Sequence, residues 1–195
     1  MLRVRAEEAE RFGAERGLPT FEIMGQALQG VALVRAGKYD QAVPVLRAAI
    51  ERWHSTGARF WGRYIRGVLA EALARSGKIE QGLEVCDDVL AEIEQPESRE
   101  RWHYAELLRL RGWMLSLKGD ARGSEQSYRA SLAWARQQQA KSWELRAAMS
   151  LARLWRGQGK VAQARELLAP VYGWFTEGFG TRDLKEAKAL LEELA

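Results

Sequence analysis

The residue pairs that come nearest to a phosphate-binding chemistry are Gly37-Lys38, Gly77-Lys78 and Gly159-Lys160. A phosphate cradle needs consecutive backbone amides and a lysine, spelled GxxxxGK[ST]. None of the three has the earlier glycine or a following Ser or Thr, so they read as helix turns. Gly178-Phe179-Gly180 is half of a dinucleotide fingerprint, but it follows a helical stretch where the fingerprint follows a strand. It reads as a flexible turn. His54 and His103 are the only histidines and Cys86 the only cysteine, with no second ligand at metal-binding spacing. His103, beside Trp102 at a helix start, reads as an ordinary surface histidine. Cys86 reads as a buried contact between helices. Carboxylates lie on solvated helices, with nothing to signal a raised pKa. No catalytic constellation emerges, and neither an enzyme activity nor a cofactor is expected.

The elements that carry these residues repeat. A glycine returns at Gly37, Gly77, Gly119 and Gly159, spaced 40, 42 and 40 residues apart. Seven residues earlier stand Gly30, Ala70, Gly112 and Ala152; five later stand Ala42, Gly82, Ser124 and Ala164; nine later stand Leu46, Cys86, Tyr128 and Leu168. Apolar residues recur at three and four on both sides of each glycine, which predicts two helices joined by a tight turn. A glycine there supplies the left-handed conformation that ends the first helix. Helix pairs of this kind stack into a solenoid with a shared core.

The expected fold is therefore all-α, a right-handed superhelical solenoid forming one repeat domain over 1–195. It divides into a half repeat at 1–17, helical hairpins at 20–54, 58–94, 100–138 and 141–176, and a capping helix at 182–195. Gly57, Pro96 and the run Gln137, Gln138, Gln139 separate the hairpins. In the last helix Asp183 and Glu186 stand where a capping-box variant would place them. The first helix reads as the second half of a repeat, with Leu2, Ala6, Ala9 and Phe12 as an apolar stripe lacking a partner. That predicts a piece of a longer protein, with self-association through the N-terminal helix as the alternative.

Composition bounds the function. Lys and Arg number 30 against 26 Asp and Glu, a net charge of +4, and charged residues make up 29% of the chain. Most of this is solvated helix surface, so a nucleic-acid partner is not expected. A single cysteine suits a reducing cytoplasm. No stretch approaches the roughly 18 uninterrupted apolar residues of a membrane span, and no membrane partner is expected. Of the eight tryptophans, Trp61, Trp102 and Trp143 join Phe21 near the starts of the first helices and predict an aromatic ladder between repeats. Trp155 takes the inward position held elsewhere by Leu33, Leu73 and Leu115.

These small positions, turn glycines and large second-helix residues resemble tetratricopeptide repeats, although the period is longer than the usual ~34 residues. KSWELRAAMSLARLWRGQGKVAQARELLAPVYGWFTEGFGTRDLKEAKALLEEL is similar to the carboxyl-terminal end of a bacterial family of large signalling proteins. RWHYAELLRLRGWML and GARFWGRYIRGVLAEA extend the resemblance over nearly the whole chain. Those proteins join a nucleotide cyclase or transcription-regulator domain to a signal-transduction ATPase and a tetratricopeptide array. The resemblance implies a cytoplasmic scaffold or sensor segment, and residues for cyclase or ATPase activity do not occur here.

It also implies a concave groove lined thirteen, ten, six and three residues before each glycine. The positions are Met24, Ala27, Val31 and Val34; Tyr64, Gly67, Glu71 and Ala74; Glu106, Arg109, Trp113 and Ser116; Arg146, Met149, Arg153 and Arg156. The expected partner-binding groove is Tyr64, Glu71, Glu106, Arg109, Trp113, Arg146, Met149, Arg153 and Arg156. Guanidinium groups in such an array suit carboxylates, so the expected partner is a protein or peptide of acidic character. The alternatives are a small acidic metabolite or oligosaccharide in the groove, or arginines that only pair with neighbouring glutamates. The lysine and asparagine pattern of chaperone-tail binding is absent, with Ala27, Val31 and Glu106 at its key positions. Circular dichroism of the purified chain should show helix without strand, and its melting should not respond to a chelator; a sheet signal would exclude the solenoid.

Overall fold

The structure, a computed structural model, describes residues 2–57, 61–95, 98 and 100–195. Pro96 and the 58–60 start of the second expected hairpin lie outside the described residues. Those residues hold ten helices and no strand: α1 (Leu2–Arg16), α2 (Pro19–Arg35), α3 (Tyr39–Ser55), α4 (Gly62–Arg75), α5 (Ile79–Glu94), α6 (Tyr104–Leu117), α7 (Ala121–Gln137), α8 (Lys141–Gly157), α9 (Val161–Gly173) and α10 (Arg182–Glu193). They form two compact units, Met1–Glu100 with α1–α5 and Arg101–Ala195 with α6–α10.

One turn is built four times. Gly37, Gly77, Gly119 and Gly159 have φ of 73, 82, 80 and 78°, where a side chain would be strained. After each glycine the next backbone N–H reaches back five residues. Lys38 donates to Leu33 O, Lys78 to Leu73 O, Asp120 to Leu115 O and Lys160 to Trp155 O, all at 2.9–3.0 Å. The glycine N–H itself donates three residues back. This Schellman closure satisfies carbonyls that the helix end would orphan and reverses the chain.

The reversal brings the small and large positions together. A Cβ built on Gly30 would lie 2.5 Å from Leu46 Cδ2, and one on Gly112 would lie 2.7 Å from the Tyr128 ring. Each glycine is thus the hole for a large side chain of the following helix. Cys86 takes the large position in α5 and is fully buried.

In the first unit, α1 and α2 touch backbone to backbone. A Cβ on Gly13 would lie 2.3 Å from Glu22 N, and one on Gly25 2.3 Å from Glu10 N. Of the stripe along α1, Ala6 is buried while Leu2 and Phe12 stay exposed. Trp61, the N-cap of α4, has a left-handed conformation, φ 74°, which costs about 1–2 kcal/mol for a residue with a Cβ. Its N–H donates to Glu100 Oε1 at 3.0 Å, and its ring lies against Trp53 at 6.3 Å and Tyr64 at 5.9 Å. The unit's core runs through Val31, Leu46, Ile65, Leu69 and Leu73.

The second unit packs Tyr128, Leu132, Leu145, Leu151, Trp155 and Leu168 around α8, and α10 closes it with Leu184, Ala187, Leu190 and Leu194. Among the described residues, the aromatic side chains expected to form a ladder make local contacts. Phe21 meets Phe12 and Trp102 meets His103, while Phe21 and Trp102 remain 45% and 40% exposed. His103 is not a surface residue: it is 2% exposed, at the N-cap position of α6 with its ring 4.7 Å from that of Trp102.

Gly112→Ala should destabilise the chain by about 1–3 kcal/mol through overpacking. Adding Tyr128→Leu, which recreates the Ala152 and Leu168 combination, should restore much of that loss in urea unfolding. Cys86→Ala should cost about 1–3 kcal/mol, and a thiol reagent should label the native Cys86 slowly.

Candidate functional site

Nine groove residues are divided between the units. Tyr64 and Glu71 belong to the first: Tyr64 is half-buried against Trp61, and Glu71 accepts from Arg75 Nε at 3.0 Å. At the apolar end of the expected groove Ala27, Val31 and Val34 are buried in that unit's core, while Met24 is half-buried. Met149, at the same step as Ala27, is also core, at 3% exposure. At the step ten before the turn, Ala27 and Met149 are thus both buried, whereas Arg109 is only partly so.

The rest gather on the first helices of the second unit. Arg109 grips Glu106 with both arms, Nε to Oε2 at 2.7 Å and Nη2 to Oε1 at 2.8 Å. Trp113 is half-buried against the unit's core. Arg146 lies between two carboxylates, with Nη1 3.6 Å from Glu106 Oε1 and Nε 2.6 Å from Asp183 Oδ2, and it covers the Trp143 ring at 5.1 Å. Beneath the face, burial pushes the Tyr128 phenol up, against the hydroxyls of Ser124 and Ser116 and the charges of Arg109 and Arg153.

Three members of α10 complete the face, and sequence reasoning assigned them no such role. Asp183 pairs with Arg146, Glu186 accepts from Arg153 Nη2 at 3.1 Å, and Glu193 pairs with Arg156. Asp183 and Glu186 therefore do not form a capping box. Thr181 is the N-cap, and its hydroxyl donates back to Gly178 O at 2.7 Å. The pairs advance in the same order on both helices, so α10 runs parallel to α8, as the first helix of a following repeat would. A signal was present in the sequence: arginines spanning 146–156 match acids spanning 183–193, each about 15 Å of helix.

Energetically the apolar contacts dominate. Burying a leucine contributes about 1.5–3 kcal/mol, and α10 with its C-cap Leu194 buries three. Half-exposed ion pairs contribute about 0.2–1 kcal/mol each. The pairs therefore set the register of α10 and make its hold sensitive to salt and pH. Burial pushes the Glu186 carboxyl up, but hydrogen bonds from Arg182 and Arg153 outweigh it and hold the group below its ordinary value of 4.5. Another carboxylate fixes the α7–α8 joint. Buried Glu144 accepts from Arg136 at 2.9 Å and Lys141 at 2.8 Å, and these bonds outweigh burial to lower it as well.

Among the described residues no cluster of His, Cys, Asp and Glu could hold a metal ion, and no helix is long and apolar enough to cross a membrane. No family model matches the chain, and no curated protein matches it. Its backbone is similar to that of PlcR from Bacillus thuringiensis, solved in complex with the peptide PapR7 and DNA. The TM-score is 0.74 at 16% identity, over 99% of this chain and 69% of that one. BtubC from P. vanneervenii gives 0.71 at 14%, over 98% and 86%. The nearly identical TPR-like repeats of a Podosopora anserina protein of kinesin light chain type give 0.66 at 17%, over 87% and 83%. At these identities the likeness shows the fold, a tetratricopeptide-like array of antiparallel helix pairs.

The folded pKa of Glu186 is depressed, so its contribution is present above about 4.5 and is lost as pH falls through the lower, folded value. Hydrogen exchange corrected for intrinsic rates should show α10 losing protection on acidification below about 4.5, before α6 and α7 do. Glu186→Gln should flatten that pH dependence; unchanged protection of α10 would refute the pairing.

Proposed function

We propose that this chain is a non-catalytic protein-interaction module whose second unit binds an acidic protein segment. The binding face is Glu106, Arg109, Trp113, Arg146, Arg153 and Arg156. One observation carries this reading: Arg146, Arg153 and Arg156 already engage a file of carboxylates on a helix, in cis. The face therefore has the spacing to receive an acidic helix, and guanidinium groups offer fixed, paired donors to carboxylates. Trp113 adds an apolar contact of low entropic cost. PlcR, similar in backbone, was solved with a peptide, which supports a peptide as the ligand class. The resemblance to the ends of cyclase- and ATPase-bearing signalling proteins supports placing the module as a regulatory segment of a larger bacterial, cytoplasmic protein.

The test is fluorescence anisotropy against an array of acidic helical peptides. Peptides that bind should lose at least about tenfold in affinity, or 1.4 kcal/mol, when Arg153→Glu and Arg156→Glu are combined, with helicity unchanged. They should also weaken as salt rises from about 50 to about 500 mM. Binding that ignores the double reversal, or that depends instead on Leu2 and Phe12, would overturn the assignment.

A further inference from the structure

The joint between α8 and α10 differs from the other joints in the second unit. The first helices α6 and α8 share one ion pair, Arg146 with Glu106, whereas α8 and α10 share three. A 12-residue helix carries this joint, tethered by the eight residues 174–181. The tether contains Gly178 with φ 78° and Gly180, so its backbone is permissive. Two of the three pairs are close to half exposed on both sides, so water and salt reach them.

We propose that the edge of α8 and α9 is a receptor for an acidic amphipathic helix of a partner protein, that α10 is its occupant in cis, and that binding exchanges the one for the other. This rests on the acidic-partner reading of the same face and names the partner's structure. Carboxylates at i, i+3 and i+10 meet Arg146, Arg153 and Arg156, as Asp183, Glu186 and Glu193 do. Apolar residues at i+1, i+4, i+7 and i+11 fill the sites of Leu184, Ala187, Leu190 and Leu194. Charge complementarity selects acidic helices, and the small Ala187 site limits the volume at i+4. A short tether gives α10 an effective concentration on the order of mM, so a free helix competes poorly unless it makes further contacts. A partner helix longer than α10 would reach α6, where Glu106 joins Arg109 to Arg146.

The probe is the synthetic peptide of residues 181–195, added in trans to the full chain. Against a chain carrying Asp183→Asn, Glu186→Gln and Glu193→Gln, which weakens the cis helix, the peptide should bind at least about tenfold tighter than to the wild type. An occupied site lowers apparent affinity by the fraction left open. In the wild-type chain, saturating peptide should speed hydrogen exchange in α10 while leaving α6–α9 protected, a readout that needs no altered protein. Equal affinity for both chains, absence of binding to either, or an α10 that keeps its protection under bound peptide would each overturn the exchange. Array peptides that require Arg153 and Arg156 yet leave α10 protected would overturn it too, while leaving the acidic-partner reading standing.

Discussion

The left-handed glycine that closes the first helix of each pair is the constraint from which the rest follows. Its φ of 73 to 82° allows the next N–H to bond five residues back, and that bond fixes where the second helix begins. With the turn set, the residue seven before the glycine must face the residue nine after it. Gly30 accepts Leu46 and Gly112 accepts Tyr128 because one member of each pair has no side chain. Close packing leaves no slack for two large residues at such a crossing. The periodic spacing of small and large residues is thus a consequence of the turn.

Within each unit, stacking of pairs places a first helix beside the next, and the chemistry of the faces depends on which side chains are long enough to escape that contact. Short apolar residues at these steps, such as Ala27, Val31 and Val34, are absorbed into the core. Arginine reaches past the contact because its aliphatic stem packs while its head stays in water. The second unit therefore carries the arginine face, while in the first Ala27, Val31 and Val34 pack inside, although both come from the same repeat.

The charges on that face are not idle. Arg109 and Glu106 lock each other, Arg146 bridges two helices, and α10 supplies the remaining carboxylates. The half-exposed pairs of Arg153 and Arg156 add little to stability, but the pairs with α10 discriminate. A helix with basic residues at the same steps would face repulsion and unpaired charge. The leucines of α10 hold it, and the carboxylates decide that it is this helix, in this register and direction.

The sequence by itself determined the helix pairs, their turns and the small-to-large pairing, because these depend on contacts within about twenty residues and on glycine's freedom at φ > 0. It also placed Cys86 in the interior. It did not reveal that Met149 is core, since a helical position ten before the turn is inward or outward according to the neighbour it meets, nor that Trp102, seventeen before its glycine, is 40% exposed. Nor did it show where Asp183 and Glu186 point. Read locally they resemble a cap; only the docking of α10 along α8 brings them to Arg146 and Arg153, because a carboxylate near a helix start serves whichever donor the tertiary packing carries closest.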